Sequence, residues 1–345
     1  MIRTLLPASL ALLLAATTAS AQDQAQPPAQ APAQDRPTYG PRLEGYDYPF
    51  PVQTYAFESQ RQALEMTYMD VAPTGPANGR TALLLHGKNF CAATWAPTIR
   101  VLAQAGFRVI AVDQIGFCKA SKPAAYQFSL PQLATNTKAL LDSLNIDRPV
   151  IVGHSMGGML AARFAIQHPD AVEHLVLVNP IGLEDWQAEG VPYAPLDAAY
   201  ANERRTTFDS IKAYQQKVYY DGQWRPEYDE PVAMLAGMYA GPGGDAVAWN
   251  QAQTSDMIFT QPIAHEFGRI AAPTTLIIGG TDRTAPGANR ASPEIQARLG
   301  QYPALGRRTA EAIPDATLID FPDLGHAPQT QDPDRFHAAL LKALD

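Results

Sequence analysis

The stretch Val152-Gly153-His154-Ser155-Met156-Gly157-Gly158 places one serine among three glycines. It lies between an apolar run at 149–151 and a helical pattern at 159–164. A sharp turn from a strand into a helix holds such a serine in a strained backbone conformation, at about 1–3 kcal/mol, and lifts its hydroxyl above the sheet. Ser155 is therefore either a nucleophile or a turn residue. A nucleophile would require a base, an acid and an anion site elsewhere in the chain.

Short apolar runs alternate with helical patterns along most of the chain. Nearly continuous apolar runs are typical of strands buried on both faces of a parallel sheet. Strands that alternate with helices indicate βαβ units, so the pattern predicts a doubly wound α/β sheet. The predicted strands are 64–69 at a sheet edge, 81–85, 107–112, 149–152, 174–178, 275–278 and 316–320, and the predicted helices are 96–104, 130–144, 158–167 and 335–344.

The alternation stops between residues 181 and 262. This insert lacks strand-like apolar runs and is rich in aromatic residues. A structureless loop of that length is rare in a compact protein, so we predict a helical subdomain. Most of its aromatic side chains would form the core of that subdomain, and some would face a ligand.

The N-terminus has the three parts of a secretory signal peptide. Arg3 supplies a positive charge, residues 5–14 an apolar segment, and Ala19-Ser20-Ala21 a small-residue cleavage site. We predict a signal peptide over 1–21, cleaved after Ala21, and a periplasmic or secreted mature protein. Because the apolar segment is short, an uncleaved membrane anchor is the weaker alternative. Residues 22–52 are predicted to form a flexible Pro/Gln/Ala-rich leader, to about residue 38, and an N-terminal extension.

The composition restricts the class of protein and its partners. The 345 residues are 46% hydrophobic and 17% charged, which is typical of a globular enzyme and not of a disordered chain. A net charge of −8 and the lack of a basic cluster argue against a nucleic-acid partner. The expected partner is a small-molecule substrate, and after signal cleavage no membrane span is expected. The oligomeric state is left open.

Four further motifs stand at the ends of predicted strands: His86-Gly87, Asp113 to Gly116, Gly279 to Asp282, and Gly325-His326. With the Gly-x-Ser-x-Gly turn they follow the order of the α/β-hydrolase superfamily, which the chain resembles from about residue 54 to its end. The resemblance implies a mostly parallel eight-stranded sheet with helices on both faces. It implies a core formed by 53–180 and 263–345 and a helical cap at 181–262. Likeness to the esterase and prolyl aminopeptidase-like branches is at the level of shared motifs.

The resemblance implies a catalytic triad of Ser155, His326 and Asp282. Serine is a weak nucleophile at neutral pH, and histidine is the base whose ordinary pKa suits it. Asp282 would hold the imidazole in the required tautomer. The family's other position for the acid, after the strand at 174–178, is occupied here by Asn179, which carries no charge.

The anion site is expected from backbone amides, those of Met156 and Lys88 by the family pattern. The side chains of Lys88 and Asn89 would either bind an acidic substrate group or serve as a solvated lysine and a loop-bonding asparagine. An aromatic-lined pocket under the cap would favour an apolar or aromatic substrate group. The candidate substrate-binding residues are Asn89, Phe90, Trp186, Tyr219, Tyr220 and Trp224.

Two cysteines remain, Cys91 and Cys118. In the α/β-hydrolase fold the two strands that precede them are neighbours, so both cysteines would lie at the same end of the sheet. An exported protein meets oxidising conditions, and we predict a disulfide between them. The alternative is two buried free thiols.

The nucleophile limits the reaction. Epoxide hydrolases and haloalkane dehalogenases of this superfamily need an aspartate where Ser155 stands. Hydrolysis of a small ester, lactone, thioester or amide through an acyl-enzyme remains, with carbon–carbon bond hydrolases and cofactor-free haloperoxidases or perhydrolases as alternatives on the same triad. A non-catalytic binding protein that kept the fold is a further alternative. The sequence has no metal-binding cluster, phosphate loop or dinucleotide fingerprint, so no cofactor and no metal are expected.

Overall fold

Eight strands form one sheet in the computed structural model of the chain, which describes residues 36–345. In chain order they are β1 Val52–Ser59, β2 Gln62–Val71, β3 Thr81–Leu85, β4 Arg108–Asp113, β5 Val150–His154, β6 His174–Val178, β7 Thr274–Gly279 and β8 Ala316–Phe321. Their order in the sheet is β1-β2-β4-β3-β5-β6-β7-β8. The β1–β2 and β2–β4 pairs are antiparallel and the other pairs are parallel. The predicted α/β fold with a mostly parallel eight-stranded sheet is confirmed.

Helices lie in the connections between these strands and after β8. They are α1 Ala96–Gln104, α2 Leu130–Ser143, α3 Met156–Gln167, α4 Leu196–Glu203, α5 Phe208–Val218, α6 Asp229–Ala240, α7 Gly244–Thr260, α8 Pro293–Arg298, α9 Tyr302–Ala312, α10 Pro328–Gln331 and α11 Pro333–Leu344. In β3, Leu83 and Leu85 belong to one core cluster while Ala82 and Leu84 belong to the other. Because successive side chains of a strand point to opposite faces, the apolar run of β3 fills the cores on both sides of the sheet.

The insert between β6 and β7 is helical, as the sequence predicts. Residues 181–262 hold α4 to α7 and no strand. Residues 37–345 pack as one compact unit, so this insert, the cap, is not a separate globule. Among the helices of residues 36–345, none combines the length and apolarity that a bilayer span requires.

The prediction that the strand at 64–69 forms a sheet edge is wrong, because β1 pairs with β2 on its outer side. Side chains of β1 are mostly exposed or half-buried, so this strand carries no apolar run that sequence reading could detect. Its start, Val52, lies one residue before the predicted beginning of the core.

The predicted signal peptide and the first part of the leader, through residue 35, lie outside the described residues. The following extension is packed rather than flexible. The Tyr39 N–H donates to the Gly237 carbonyl in the cap at 2.9 Å, and the Tyr48 hydroxyl donates to Asp113 at 2.6 Å. Leu43 is fully buried. Residues 39–48 are therefore packed against the core and the cap through Tyr39, Leu43 and Tyr48.

The two cysteines lie together, as predicted, in the loops that follow β3 and β4. Their Cα atoms are 5.8 Å apart, their sulfur atoms are at bonding distance, and both residues are buried. Asp113 lies beside them, but a pair of bonded sulfurs offers no thiolate to a metal ion. The disulfide Cys91–Cys118 itself stays a prediction.

Thiol titration of the denatured, unreduced protein is expected to find no free thiol. The Cys91→Ala/Cys118→Ala variant is expected to lose about 2–4 kcal/mol of unfolding free energy, because the bond closes a loop with a sequence separation of 27 residues. Denaturant unfolding measures this loss, with the wild type in reductant as the matched comparison. Two titratable thiols in the unreduced protein would end the idea.

Candidate active site

Ser155 stands between β5 and α3 with φ 55° and ψ −119°, in the left-handed region that a serine rarely adopts. Glycines make this turn possible. A Cβ at Gly153 would collide with the Gly157 carbonyl, and one at Gly157 would collide with the Leu85 carbonyl. The turn therefore brings the serine against the loop after β3. It also puts Ser155 at the N-terminus of α3, where the helix dipole stabilises developing negative charge.

Asp282 and His326 follow the neighbouring parallel strands β7 and β8, so both reach the same edge of the sheet. The His326 Nδ1–H donates to Asp282 Oδ2 at 2.6 Å, and both side chains are fully buried. This bond assigns the proton to Nδ1 and leaves the Nε2 lone pair available to accept one. His326 Nε2 is buried and has no hydrogen-bond partner within residues 36–345, Ser155 included.

A second histidine joins the serine turn to the histidine loop. His154 Nε2–H donates to the His326 carbonyl at 2.8 Å, and the two ring centroids are 5.0 Å apart. Burial lowers the pKa of His154 well below its ordinary value, so the ring is neutral and donates as a fixed tautomer. The structure thus brings together the loops of Ser155, His326 and Asp282. In unliganded enzymes the bond between nucleophile and base is often formed only with substrate.

His86 supports the neighbouring loop. Its Nδ1–H donates to the Gly87 carbonyl at 2.9 Å, and its Nε2 accepts from the Gln114 N–H at 3.2 Å. Burial lowers the pKa of His86, which keeps it neutral in this arrangement. His86 therefore links the loops after β3 and β4 through backbone groups.

Asn179 is a site residue whose role sequence reasoning missed. Its Nδ2 donates to Asp282 Oδ2 at 2.9 Å, and its Oδ1 accepts from the Gly279 N–H at 2.8 Å. The Thr284 N–H donates to the other oxygen of Asp282 at 2.8 Å. Asn179, at the position where other members of the family carry the acid, thus orients Asp282 by a hydrogen bond. The sequence carries a signal for this role, because Asn179 stands directly after the strand at 174–178.

Lys88, whose backbone amide is a candidate anion donor, has a side chain that reaches the cap. Lys88 Nζ lies 2.9 Å from Glu203 Oε1, at the end of α4. Glu203 also accepts from the Tyr239 hydroxyl at 2.6 Å and from Ser255 Oγ at 3.4 Å. Burial alone would raise the pKa of Glu203, but the Lys88 charge and these hydrogen bonds outweigh it and hold that pKa below its ordinary value. The expected roles of the Lys88 side chain are a solvated lysine or a ligand for an acidic substrate group, whereas the structure pairs it with the Glu203 carboxylate of the cap.

Tyr219, just after α5, is the cap residue in closest contact with the candidate triad. Its carbonyl accepts from the His326 N–H at 2.9 Å, and its ring lies 4.2 Å from the imidazole, centroid to centroid. Asn89 Nδ2 donates to the Tyr219 hydroxyl at 2.9 Å, and the Phe90 ring stacks on the tyrosine at 6.3 Å. These three predicted substrate-binding residues therefore lie together beside His326.

The other predicted aromatic contacts lie further from the triad. Tyr220 is buried and stacks on Tyr228 at 4.1 Å, with Trp224 against both rings. Trp186 is buried in the core and donates to Glu184 at 3.2 Å. Within residues 36–345 no hydrogen bond or ring contact joins Trp186 or Trp224 to the triad.

Met156 is the first residue of α3 and follows Ser155 directly. Its backbone amide therefore lies where the sequence predicts a donor to the anion site.

Comparisons with known proteins agree with this fold. A family model described as the alpha/beta hydrolase fold matches residues 83–333, so the chain belongs to the α/β-hydrolase family, and it is a hydrolase. It is similar to a probable hydrolytic enzyme from Pseudomonas aeruginosa PAO1, with 59% sequence identity and a TM-score of 0.89, over 90% of this chain and 99% of that one.

Two further similarities are more distant. A 2-hydroxy-6-oxononadienedioate/2-hydroxy-6-oxononatrienedioate hydrolase from Paraburkholderia xenovorans is 29% identical over 76% of this chain and 86% of its own length. The structure of Est816, described as an N-acyl homoserine lactone degrading enzyme, is 25% identical with a TM-score of 0.61, over 84% of this chain and 99% of that one.

Asn179→Asp is expected to lower kcat about tenfold or more with little change in KM. The new carboxylate keeps the acceptor for the Gly279 N–H but replaces the donor to Asp282 with a like charge, which disturbs the acid that holds the imidazole. Steady-state kinetics on an activated ester measures both constants. Asn145→Asp, on the exposed surface, is the matched control and should leave both unchanged. Full activity of Asn179→Asp would refute the positioning role.

Glu203→Gln is expected to lower the free energy of unfolding by about 1–3 kcal/mol at pH 7, because it leaves the Lys88 ammonium without its counter-ion. The folded-state pKa of Glu203 lies below its ordinary 4.5. The ionised Glu203 carboxylate therefore contributes its full stabilisation at pH values above 4.5. That stabilisation is lost as the pH falls through the pKa of Glu203 in the folded protein. Urea unfolding at pH 7 and pH 3 should show the wild-type advantage shrinking at pH 3. Glu189→Gln, in an exposed pair with Arg298, should lose under about 1 kcal/mol, and an equal loss in both variants would contradict this prediction.

Proposed function

We propose that the protein is an exported serine hydrolase that cleaves a small ester, lactone or amide through an acyl-enzyme. One observation carries the proposal: His154, beside the strained Ser155, bonds the His326 backbone, and the His326 ring pairs with buried Asp282 while its Nε2 is unpartnered within residues 36–345. This geometry supports a mechanism in which the histidine activates the serine and the aspartate orients the histidine.

In the proposed mechanism Ser155 Oγ attacks the substrate carbonyl while His326 Nε2 takes its proton. The carbonyl oxygen becomes an oxyanion that accepts from the backbone N–H groups of Met156 and Lys88, at the N-terminus of α3 and in the loop after β3. His326 then passes its proton to the leaving group, and the acyl group stays on Ser155. Water, deprotonated by the same Nε2, hydrolyses the acyl-enzyme and restores the serine. Asp282 stabilises the imidazolium in both halves.

Hydrolysis of a small carbonyl substrate is supported by the likeness to Est816, an N-acyl homoserine lactone degrading enzyme. A carbon–carbon bond hydrolase is the second candidate, supported by the Paraburkholderia relative, whose name gives a 2-hydroxy-6-oxo dioic acid. Such an acid would need a cation near the nucleophile. Lys88 already pairs with Glu203, which favours the first candidate. Export is proposed from the signal-peptide pattern at 1–21.

The wild type is expected to react with a fluorophosphonate probe and to hydrolyse 4-nitrophenyl esters of short acids. Ser155→Ala should abolish labelling and lower kcat/KM by about 10⁴-fold or more, since the nucleophile is removed. Asp282→Asn should lose about 10⁴-fold by leaving the imidazole in the wrong tautomer. Mass spectrometry of the labelled protein and steady-state kinetics measure these effects.

Glu184→Gln is the control for Asp282→Asn. Glu184 is a buried acid that accepts from Trp186 Nε1 and the Gly300 N–H, away from the imidazole, so its loss should spare most of the activity. Labelling that persists in Ser155→Ala would sink the proposal. Faster turnover of a 2-hydroxy-6-oxo dienoate than of any ester or lactone would favour the second candidate.

A further inference from the structure

Gln215 has an unusual environment for a polar side chain. It is fully buried, and neither its Nε2 nor its Oε1 has a hydrogen-bond partner in the described part of the chain. Among the residues from 36 to 345 it is the one amide side chain for which both polar atoms are buried and unpartnered. A buried amide without partners costs free energy that an apolar side chain of the same size would not. Such a group in a folded protein needs an explanation.

The position of Gln215 connects it with the candidate triad. It lies on α5, one helical turn before Tyr219, and side chains four residues apart leave the same face of a helix. The Tyr219 N–H donates to the Gln215 carbonyl at 2.7 Å, so the helical path continues to the tyrosine. The Tyr219 ring in turn lies 4.2 Å from the ring of His326. The orphan amide is therefore about 5–6 Å along the helix from the residue that covers the catalytic imidazole.

The end of α5 is held against both triad loops. The Tyr219 carbonyl accepts from the His326 N–H at 2.9 Å, and the Val218 carbonyl from the Arg283 N–H at 3.4 Å. His326 Nε2 is itself buried and unpartnered within the described chain. Unsatisfied polar atoms thus occur on the catalytic imidazole and on the helix that covers it.

We propose that Gln215 is a specificity-determining residue that binds a terminal carboxamide-like group of the substrate. The inference rests on the proposed serine hydrolase function. The side chain of glutamine presents one acceptor and two donors in one plane. The group that matches it carries an N–H and a C=O side by side, as a primary carboxamide or an unsubstituted carbamate does. When such a substrate binds, its terminal group would form two hydrogen bonds with the side-chain amide of Gln215.

The test uses two series of 4-nitrophenyl esters with three to five methylenes in the acyl chain. One series ends in a primary carboxamide and the other in an isopropyl group of nearly the same shape. The wild type is expected to prefer the carboxamide ester about tenfold or more in kcat/KM at one chain length, because an analogue without the polar group leaves Gln215 unpaired. In Gln215→Met, which keeps the side-chain volume, the preference should vanish or reverse while the isopropyl esters are still hydrolysed.

Thermal unfolding separates this role from a structural one. Gln215→Met should raise Tm by about 2–4 °C, since it removes an unpaired buried amide. If an ordered water bridges Gln215 to the protein instead, the variant should lower Tm and affect both ester series equally. Gln251→Met is the matched control, because Gln251 is buried on α7 and its Nε2 donates to the Gly116 carbonyl at 3.3 Å. That variant should lose stability and keep the carboxamide preference.

The outcomes distinguish the two proposals. Ser155-dependent hydrolysis of both series without a carboxamide preference at any length would overturn the role of Gln215 alone. A preference that survives in Gln215→Met would overturn it as well. No Ser155-dependent turnover of either series would overturn the proposed function and, with it, this inference.

Discussion

The close approach of the Ser155 turn to the loop after β3 is the constraint on which the site depends. The Gly157 backbone lies so near the Leu85 carbonyl that no side chain fits between them. Ser155 adopts a strained backbone conformation with a positive φ in this geometry. The parallel pairing of β3 with β5 holds the Ser155 turn in place. The amides expected to bind the oxyanion stand on the two sides of this contact. The sheet therefore fixes the relative positions of these two backbone amides.

The cap is bonded to the loops that carry the candidate site residues. Lys88 pairs with Glu203 on α4, and Asn89 bonds the Tyr219 hydroxyl after α5. The Tyr219 carbonyl accepts from the backbone of His326. The position of the cap and the placement of the imidazole and the anion site are thus coupled, because moving the cap away would break these bonds. Gln215, whose side-chain amide is buried and unpartnered within residues 36–345, lies on α5, the helix that leads to Tyr219.

Sequence reasoning found the groups that recur at strand ends and missed those defined by long-range contact. The apolar runs predicted β3 to β8, and the strand-end motifs predicted Ser155, Asp282 and His326 as the triad. The edge strand β1 was not predicted, because its side chains are mostly exposed or half-buried and form no apolar run. The packing of Tyr39 and Tyr48 and the bond from Asn179 to Asp282 join residues 60 to 200 positions apart. No local pattern carries such information.

The sequence by itself determined seven of the eight strands, the order of the motifs and the chemistry that each motif could perform. These features follow from local periodicity and from the turns that glycines permit. Only the tertiary structure decided which atoms face each other: that Nδ1 of His326 bonds Asp282, that Asn179 orients the acid, that Lys88 is held by the cap, and that Gln215 is buried without a partner. Hydrogen bonds and burial are properties of neighbours in space, and the neighbours of these residues lie on other strands and helices.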